Sequence, residues 1–163
     1  MNAFKYPPAH DPNRSASSTQ LLSRKPFPTY PHPKQVAPSI GLVVSGDSSV
    51  RRILEETLLL CGITPVLAVS IQEASQRIRC DRPRLGICQD RLPDGKYEEL
   101  LLFNRAVGIC FPWIVVSRTG DWPEYLAAIE FGAYDFLAYP PVHGELSRMI
   151  RSLLETPIPA AYS

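Results

Sequence analysis

A chain of 163 residues, 45% hydrophobic and 20% charged with a formal net charge of +1, can bury one sizeable core and carries no whole-chain bias toward nucleic acid or an acidic membrane. The charge is uneven: residues 1–39 hold five Lys/Arg and one Asp (+4), which leaves 12 against 15 (−3) for the remainder. Cys61, Cys80, Cys88 and Cys110 form no C-x-x-C pair and each lies in or beside an apolar segment, a pattern of reduced thiols expected of a cytoplasmic protein. The longest nearly apolar stretch, VGICFPWIVV, is too short to span a bilayer and contains Pro112, and no signal-peptide pattern opens the chain.

Residues 1–38 are expected to form a disordered, basic tail. Eight of the 17 prolines fall within the first 39 residues, among Ser, Asn and His, and the stretch has neither a helical nor an alternating period. PTYP at 28–31 matches P-x-x-P, which also occurs by chance in such sequence.

From Ser39 short apolar runs alternate with amphipathic stretches, and the domain is expected to cover 39–155, followed by a C-terminal tail at 156–163. IGLVV (40–44) reads as a buried strand, and SVRRILEETLLLC as a helix with Val50, Ile53, Leu54, Thr57, Leu58 and Cys61 on one face, ended by Gly62. TPVLAV (64–69) is a second strand, placed toward a sheet edge by Pro65. Ser70 and Glu73 form a capping box for a helix that turns Ile71, Ala74 and Ile78 inward. RLGIC (84–88) is the third strand, LPDG its exit loop, and 97–106 a helix with Leu100, Leu101 and Phe103. WIVVS (113–117) is the fourth strand. Asp121 caps a helix begun by Trp122 and Pro123, with Leu126, Ala127, Ile129 and Ala133 following and Gly132 at its end. YDFLAY (134–139) is the fifth strand, stopped by Pro140 and Pro141, and 143–155 a helix with Leu146, Met149, Ile150, Leu153 and Leu154 on one stripe.

Five strands alternating with five helices predict an α/β fold, a five-stranded parallel doubly wound sheet whose working crevice lies beyond the strands' carboxyl ends. The residues to read are those that follow each strand: Ser45 to Asp47, Gln89 to Asp94, Ser117, Arg118 and Tyr139.

Those segments resemble, in order, the receiver domain of bacterial two-component response regulators. LVVSGDSSVRRILEETL resembles the first strand, acidic loop and first helix, and LGICQDRLPDG the strand bearing the phosphoacceptor with its L-P-D turn. IVVS resembles the strand that ends in the switch hydroxyl, IEFGAYDFLAYPP the G-A-x-D-[FY]-[LI]-x-K-P segment, and ELSRMIRSLL the last helix. The resemblance implies a flavodoxin-like sheet of order 2-1-3-4-5 and a site built from an aspartate nucleophile, two further acids for magnesium, a lysine and a switch Ser/Thr.

Carried over residue by residue, it puts Gln89 at the phosphoacceptor, Ser45 and Gly46 (followed by Asp47) at the acidic pair, Tyr139 at the lysine, Ser117 at the switch hydroxyl and Phe136 at the switch aromatic. A carboxamide is no useful nucleophile and a phenol supplies no cation at neutral pH. The expectation is therefore a single-domain, receiver-like protein with a degenerate site: no enzyme, no cofactor and no resident metal. Ser45, Gln89, Ser117 and the Tyr139 hydroxyl are expected to share one neutral hydrogen-bonded pocket. The resemblance also implies a cis bond before Pro140.

Three alternatives stand beside this reading. Asp90 could take the phosphoryl group if a bulge or early strand end re-aims it, with Asp47, Asp90 and Asp94 as weak magnesium ligands. The Ser45–Ser49 loop could cradle a small anion as in flavodoxins. Cys88 with His143 could form a nucleophile and base, although nothing in the sequence places the two together. The expected partners are a histidine kinase, another regulator or a second copy, met through the fourth helix, fifth strand and fifth helix, with Trp122, Tyr125, Tyr134 and Tyr139 on that face. Neither specific nucleic-acid binding nor membrane attachment is expected.

Overall fold

A computed structural model describes residues 38–142 and 144–155, and the tail readings at either end, PTYP included, lie outside the described residues. The strands are β1 (Ile40–Val44), β2 (Thr64–Ala68), β3 (Leu85–Gln89), β4 (Trp113–Ser117) and β5 (Asp135–Ala138). The helices are α1 (Ser48–Leu60), α2 (Ile71–Asp81), α3 (Tyr97–Ala106), α4 (Trp122–Phe131) and α5 (Glu145–Glu155). All four strand pairings are parallel and the order is β2-β1-β3-β4-β5, the flavodoxin-like arrangement expected. Among the described residues no helix is long and apolar enough to cross a membrane.

Side chains alternate along each strand, so the sheet separates two cores. Leu42, Val44, Cys88, Val115 and Phe136 face one side, with Ala74 and Ile78 of α2, Leu100 and Leu101 of α3 and Ala128 of α4. Val43, Ile87, Ile114, Val116 and Leu137 face the other, with Leu54 and Leu58 of α1 and Leu146 and Ile150 of α5. The central strands are buried on both faces, which is why their sequences read as unbroken apolar runs. β2 is an edge strand, where Pro65 removes no needed donor.

The local signals act as read. Gly62 sits at φ 75° just past the end of α1, and Gly132 at φ 96° caps the end of α4. Ser70 Oγ accepts from Glu73 N at 3.2 Å, while the Glu73 carboxylate accepts from Val69 N at 2.9 Å rather than from the cap residue itself. The Tyr139-Pro140 bond is cis.

Four readings are corrected. The buried stripe of α1 is Val50, Leu54 and Leu58, whereas Ile53 is exposed because it lies at the stripe's outer margin. On α4 only Ala128 is buried and Leu126 and Ile129 face solvent, so the packed side of this helix is one position away from the most apolar one. The exit from β3 is not a plain loop but a two-residue antiparallel ladder, Arg91–Leu92 against Gly95–Lys96. Strand ends also shift by a residue: β3 runs from Leu85 to Gln89, β2 stops at Ala68, and β5 spans Asp135–Ala138.

One close approach fixes the middle of the sheet. A Cβ on Gly86 would stand 2.3 Å from Cε3 of Trp113, so the indole lies directly on the β3 backbone. Gly86→Ala is expected to cost about 1–3 kcal/mol by forcing this buried ring aside, read as a lowered urea midpoint at unchanged slope.

Candidate functional site

The strand register decides which side chains meet at the carboxyl edge. Val44 pairs with Cys88, Gln89 with Val116, and Ser117 with Ala138. One residue further on, Ser45 therefore lies beside Gln89, Asp90 beside Ser117, and Arg118 beside Tyr139. The ladder carries on past the strand ends to hold these residues: Ser45 N donates to Ala68 O, Asp90 N to Val116 O and Tyr139 N to Ser117 O.

Alternation then splits the edge into two clusters. On the α1/α5 side the fully buried Ser45 donates its hydroxyl to Gln89 Oε1 at 2.6 Å and accepts from Asp47 N at 3.1 Å. Asp47 caps α1, its Oδ1 accepting from Ser49 N at 2.8 Å and Val50 N at 3.3 Å, and its Oδ2 accepts from Arg118 Nη2. The same guanidinium lies 5.9 Å from the centre of the Tyr139 ring. Arg118 thus ties the loop after β4 to the loop after β1, and with Arg51, whose Nη1 donates to Ser45 O at 2.5 Å, supplies positive charge on this side.

On the α3/α4 side Ser117, 1% exposed, donates to Asp90 Oδ2 at 3.0 Å and lies 3.0 Å from the Thr119 hydroxyl, which donates to Glu124 Oε2 at 2.9 Å. Ser117 Oγ also accepts from Thr119 N at 3.2 Å. A cavity of about 300 Å³ opens beside this chain, lined by Asp90, Lys96, Tyr97, Glu98, Glu124 and Phe136 among others. Phe136 is buried, Tyr125 meets it edge-on at 6.5 Å, and Trp122 stacks on Tyr125 at 5.1 Å.

The sequence reading of one shared pocket is therefore corrected. Ser45 and Gln89 bond as expected, but Ser117 faces Asp90 on the other side of the sheet, and the Tyr139 ring sits against Arg118. β3 ends at Gln89 and Asp90 does reach the switch hydroxyl, the condition set for its involvement. Gly46 is exposed, and a Cβ there would meet Pro93 Cγ at 2.8 Å, so its role is to let the turn after β3 approach. Cys88 is fully buried, and that burial pushes its thiol far above the ordinary range; its proposed partner His143 lies outside the described residues.

Sequence reasoning missed two residues. Arg118 was named only for its position, and its pairing with Asp47 becomes visible once the register is known. Asp94, read as a turn residue, reaches back to cap α2: its Oδ1 accepts from Ile71 N at 2.8 Å and its Oδ2 from Gln72 N at 3.0 Å. Partial burial pushes Asp94 upward, yet the Ile71 and Gln72 donors outweigh it and hold the carboxyl below the ordinary value. Asp47 is likewise held low, chiefly by the Val50 and Ser49 amides and then by Arg118.

The fold defines a doubly wound parallel sheet with its crevice at the carboxyl edge. No family model matches the chain. It is 34% identical over 106 residues to the C4-dicarboxylate transport transcriptional regulatory protein DctD of Rhizobium meliloti, covering 64% of this chain and 22% of that protein. It is 30% identical over 118 residues to response regulator MprA of Mycolicibacterium vanbaalenii, covering 72% and 51%. The chain thus spans about half or less of the length of these relatives. Among solved structures, a protein assigned as a response regulator from Chloroflexus aurantiacus J-10-fl matches with a TM-score of 0.66 at 29% identity, over 73% of this chain and 99% of that one. The beryllofluoride-activated NtrC4 receiver domain dimer matches with a TM-score of 0.63 at 25% identity, over 69% and 93%. The chain contains a CheY-like response regulator receiver domain.

A carboxylate held low in the native state stabilises it above the ordinary aspartate value of 3.8, and that contribution is lost as pH falls through the lower native value. Asp94→Ala is expected to lower stability at neutral pH by roughly 1 kcal/mol, as for a lost helix cap. The gap to the native chain should close in denaturation curves taken progressively below pH 3.8.

Proposed function

We propose that this receiver domain serves two-component signalling as an interaction module that needs no phosphorylation and catalyses no reaction. The observation that carries the reading is Gln89: at the acceptor position of the family stands a carboxamide, already bonded to Ser45 at 2.6 Å. An amide oxygen is a poor nucleophile toward a phosphoryl group, and it brings no negative charge to a metal.

The donor set does not suit the magnesium ion the family implies. A hard dication wants several anionic or carbonyl oxygens at short range. Of the carboxylates near the edge, Asp47 is committed to the α1 amides and Arg118, while Asp90 and Glu124 lie with Ser117 on the opposite face. Among the described residues no group of three or more His, Cys, Asp or Glu side chains could hold a metal ion. An anion at the Ser45–Ser49 loop meets a similar obstacle, since the Asp47 carboxylate occupies the amides that would receive it.

Both switch positions are engaged without a phosphoryl group. Ser117 is bonded within the Asp90, Thr119 and Glu124 cluster, and Phe136 is buried under Tyr125. This favours one standing conformation of the loop after β4. The partner is a histidine kinase, another regulator or a second copy, received on α4, β5 and α5. That face offers Trp122 at 68% exposure with Leu126 and Ile129, while Tyr125 is half-buried beneath it.

A second reading is kept for one observation, the contact between the Asp90 carboxylate and the switch hydroxyl. In that reading Asp90 is the acceptor.

A backbone NMR titration with magnesium and then beryllofluoride, a stable acyl-phosphate mimic, separates the two. No saturable shift at residues 45–47, 89–94 and 117 is the expected result. Shifts centred on Asp90 and lost in Asp90→Asn would establish the second reading in place of the first.

A further inference from the structure

A separate cavity lies at the amino end of β4, between α3 and the end of α4, some four residues and about 13 Å of strand from Ser117. Its volume is about 180 Å³ and its walls are Leu101, Asn104, Arg105, Cys110, Phe111, Trp113 and Gly132. Two of these residues carry polar atoms that find no partner among the described residues. Asn104 is 4% exposed and its Nδ2 donates to Phe111 O at 3.3 Å, but its Oδ1 has no partner. Trp113 is 2% exposed and its Nε1–H has none either.

Buried amide and indole groups ordinarily find partners, so one orphan acceptor and one orphan donor beside the same cavity point to something that fills it. A space of that volume takes several waters, each claiming about 30 Å³, or one small ring in their place. The walls set the ligand's character. Phe111 and Trp113 lie 5.2 Å apart at 35°, and Leu101 closes the apolar side, which suits a flat ring. Arg105, in the same wall, has its Nη2 donating to Phe131 O at 2.7 Å across Gly132, and the two unmatched groups are both neutral, so an uncharged ligand is the match for them.

We infer that this cavity binds a small uncharged planar ring bearing one hydrogen-bond donor, for Asn104 Oδ1, and one acceptor, for Trp113 Nε1. A lactam-type heterocycle has that pattern. The inference is independent of the phosphorylation question, because it uses no residue of the carboxyl edge.

The test is a titration of the ¹⁵N-labelled full chain with 2-pyridone, and with benzene as the ring without polar groups, up to about 10 mM, a range suited to so small a ligand. The expected result is a saturable shift of the Trp113 indole N–H and of the Asn104 side-chain amide, with the Trp122 indole unmoved. Benzene should bind at least about tenfold more weakly, because it leaves both buried groups unpaired. Asn104→Leu and Trp113→Phe should each weaken 2-pyridone by a similar factor. Since either could disturb the core, Cys110→Phe gives a check at a half-buried wall residue: it narrows the cavity, keeps both polar groups and should abolish binding. Absence of a saturable shift in the native chain, equal binding of benzene, or undiminished binding to Cys110→Phe would each overturn the proposal.

Discussion

The register of a parallel sheet governs this molecule's functional edge. Once Val44 is paired with Cys88, Gln89 with Val116 and Ser117 with Ala138, the neighbours beyond the strand ends are set by backbone geometry. Alternation then sends Ser45, Gln89, Arg118 and Tyr139 to the α1/α5 face, and Asp90, Ser117 and Phe136 to the α3/α4 face. The two clusters follow from this parity. A one-residue slip would exchange their members and also turn both cores inside out, so the packing of Leu42, Val43 and Ile87 protects the arrangement of the polar groups.

Charge is balanced locally on the α1/α5 side of the edge and in the turn after β3. Burying an ion without a partner is costly, and the acids there have a counterpart or a set of dipoles. Asp47 has the amide donors of α1 and the Arg118 guanidinium, and Asp94 has those of α2. Tyr139 brings no charge of its own and offers Arg118 a ring face. Ser45 and Gln89 satisfy one another as a neutral pair. A site that relied on a bound dication would leave carboxylates repelling one another in its absence. The α1/α5 cluster has no such unmet demand, whereas on the other face Asp90 and Glu124 converge on the Ser117 hydroxyl at 3.0 and 3.4 Å.

Much of this was legible in the sequence. The alternation of apolar runs with amphipathic stretches yields five strands and five helices, and Gly62, Ser70, Asp121 and Gly132 mark helix ends by their own chemistry. The identities at the strand ends could also be read. What escaped was direction. Ser117 and Gln89 were expected to share a pocket because both stand at strand ends, yet the parity of the residues before them already places them on opposite faces: Val115 precedes Ser117 by two, and Ile87 precedes Gln89 by two. Arg118 and Asp94 escaped for another reason. Their partners lie 71 and 23 residues away, and no local pattern encodes such contacts.

Of the five helices, α4 is held most loosely. It contributes Ala128 alone to the fully buried set, against three such residues from α1, and its apolar Leu126 and Ile129 remain in solvent. Voids lie at both of its ends, one lined by Pro123, Glu124 and Ala127, the other by Gly132. Elements with little buried apolar contact open at the low end of a protein's stability range. Its first turn is fastened by groups of the carboxyl edge, through Glu124 to Thr119, and its last by Arg105 of α3 to Phe131 O. Polar contacts at its two ends, rather than a buried apolar stripe, therefore fix the position of α4, and the exposed Trp122 sits on the anchored first turn, two residues before Glu124.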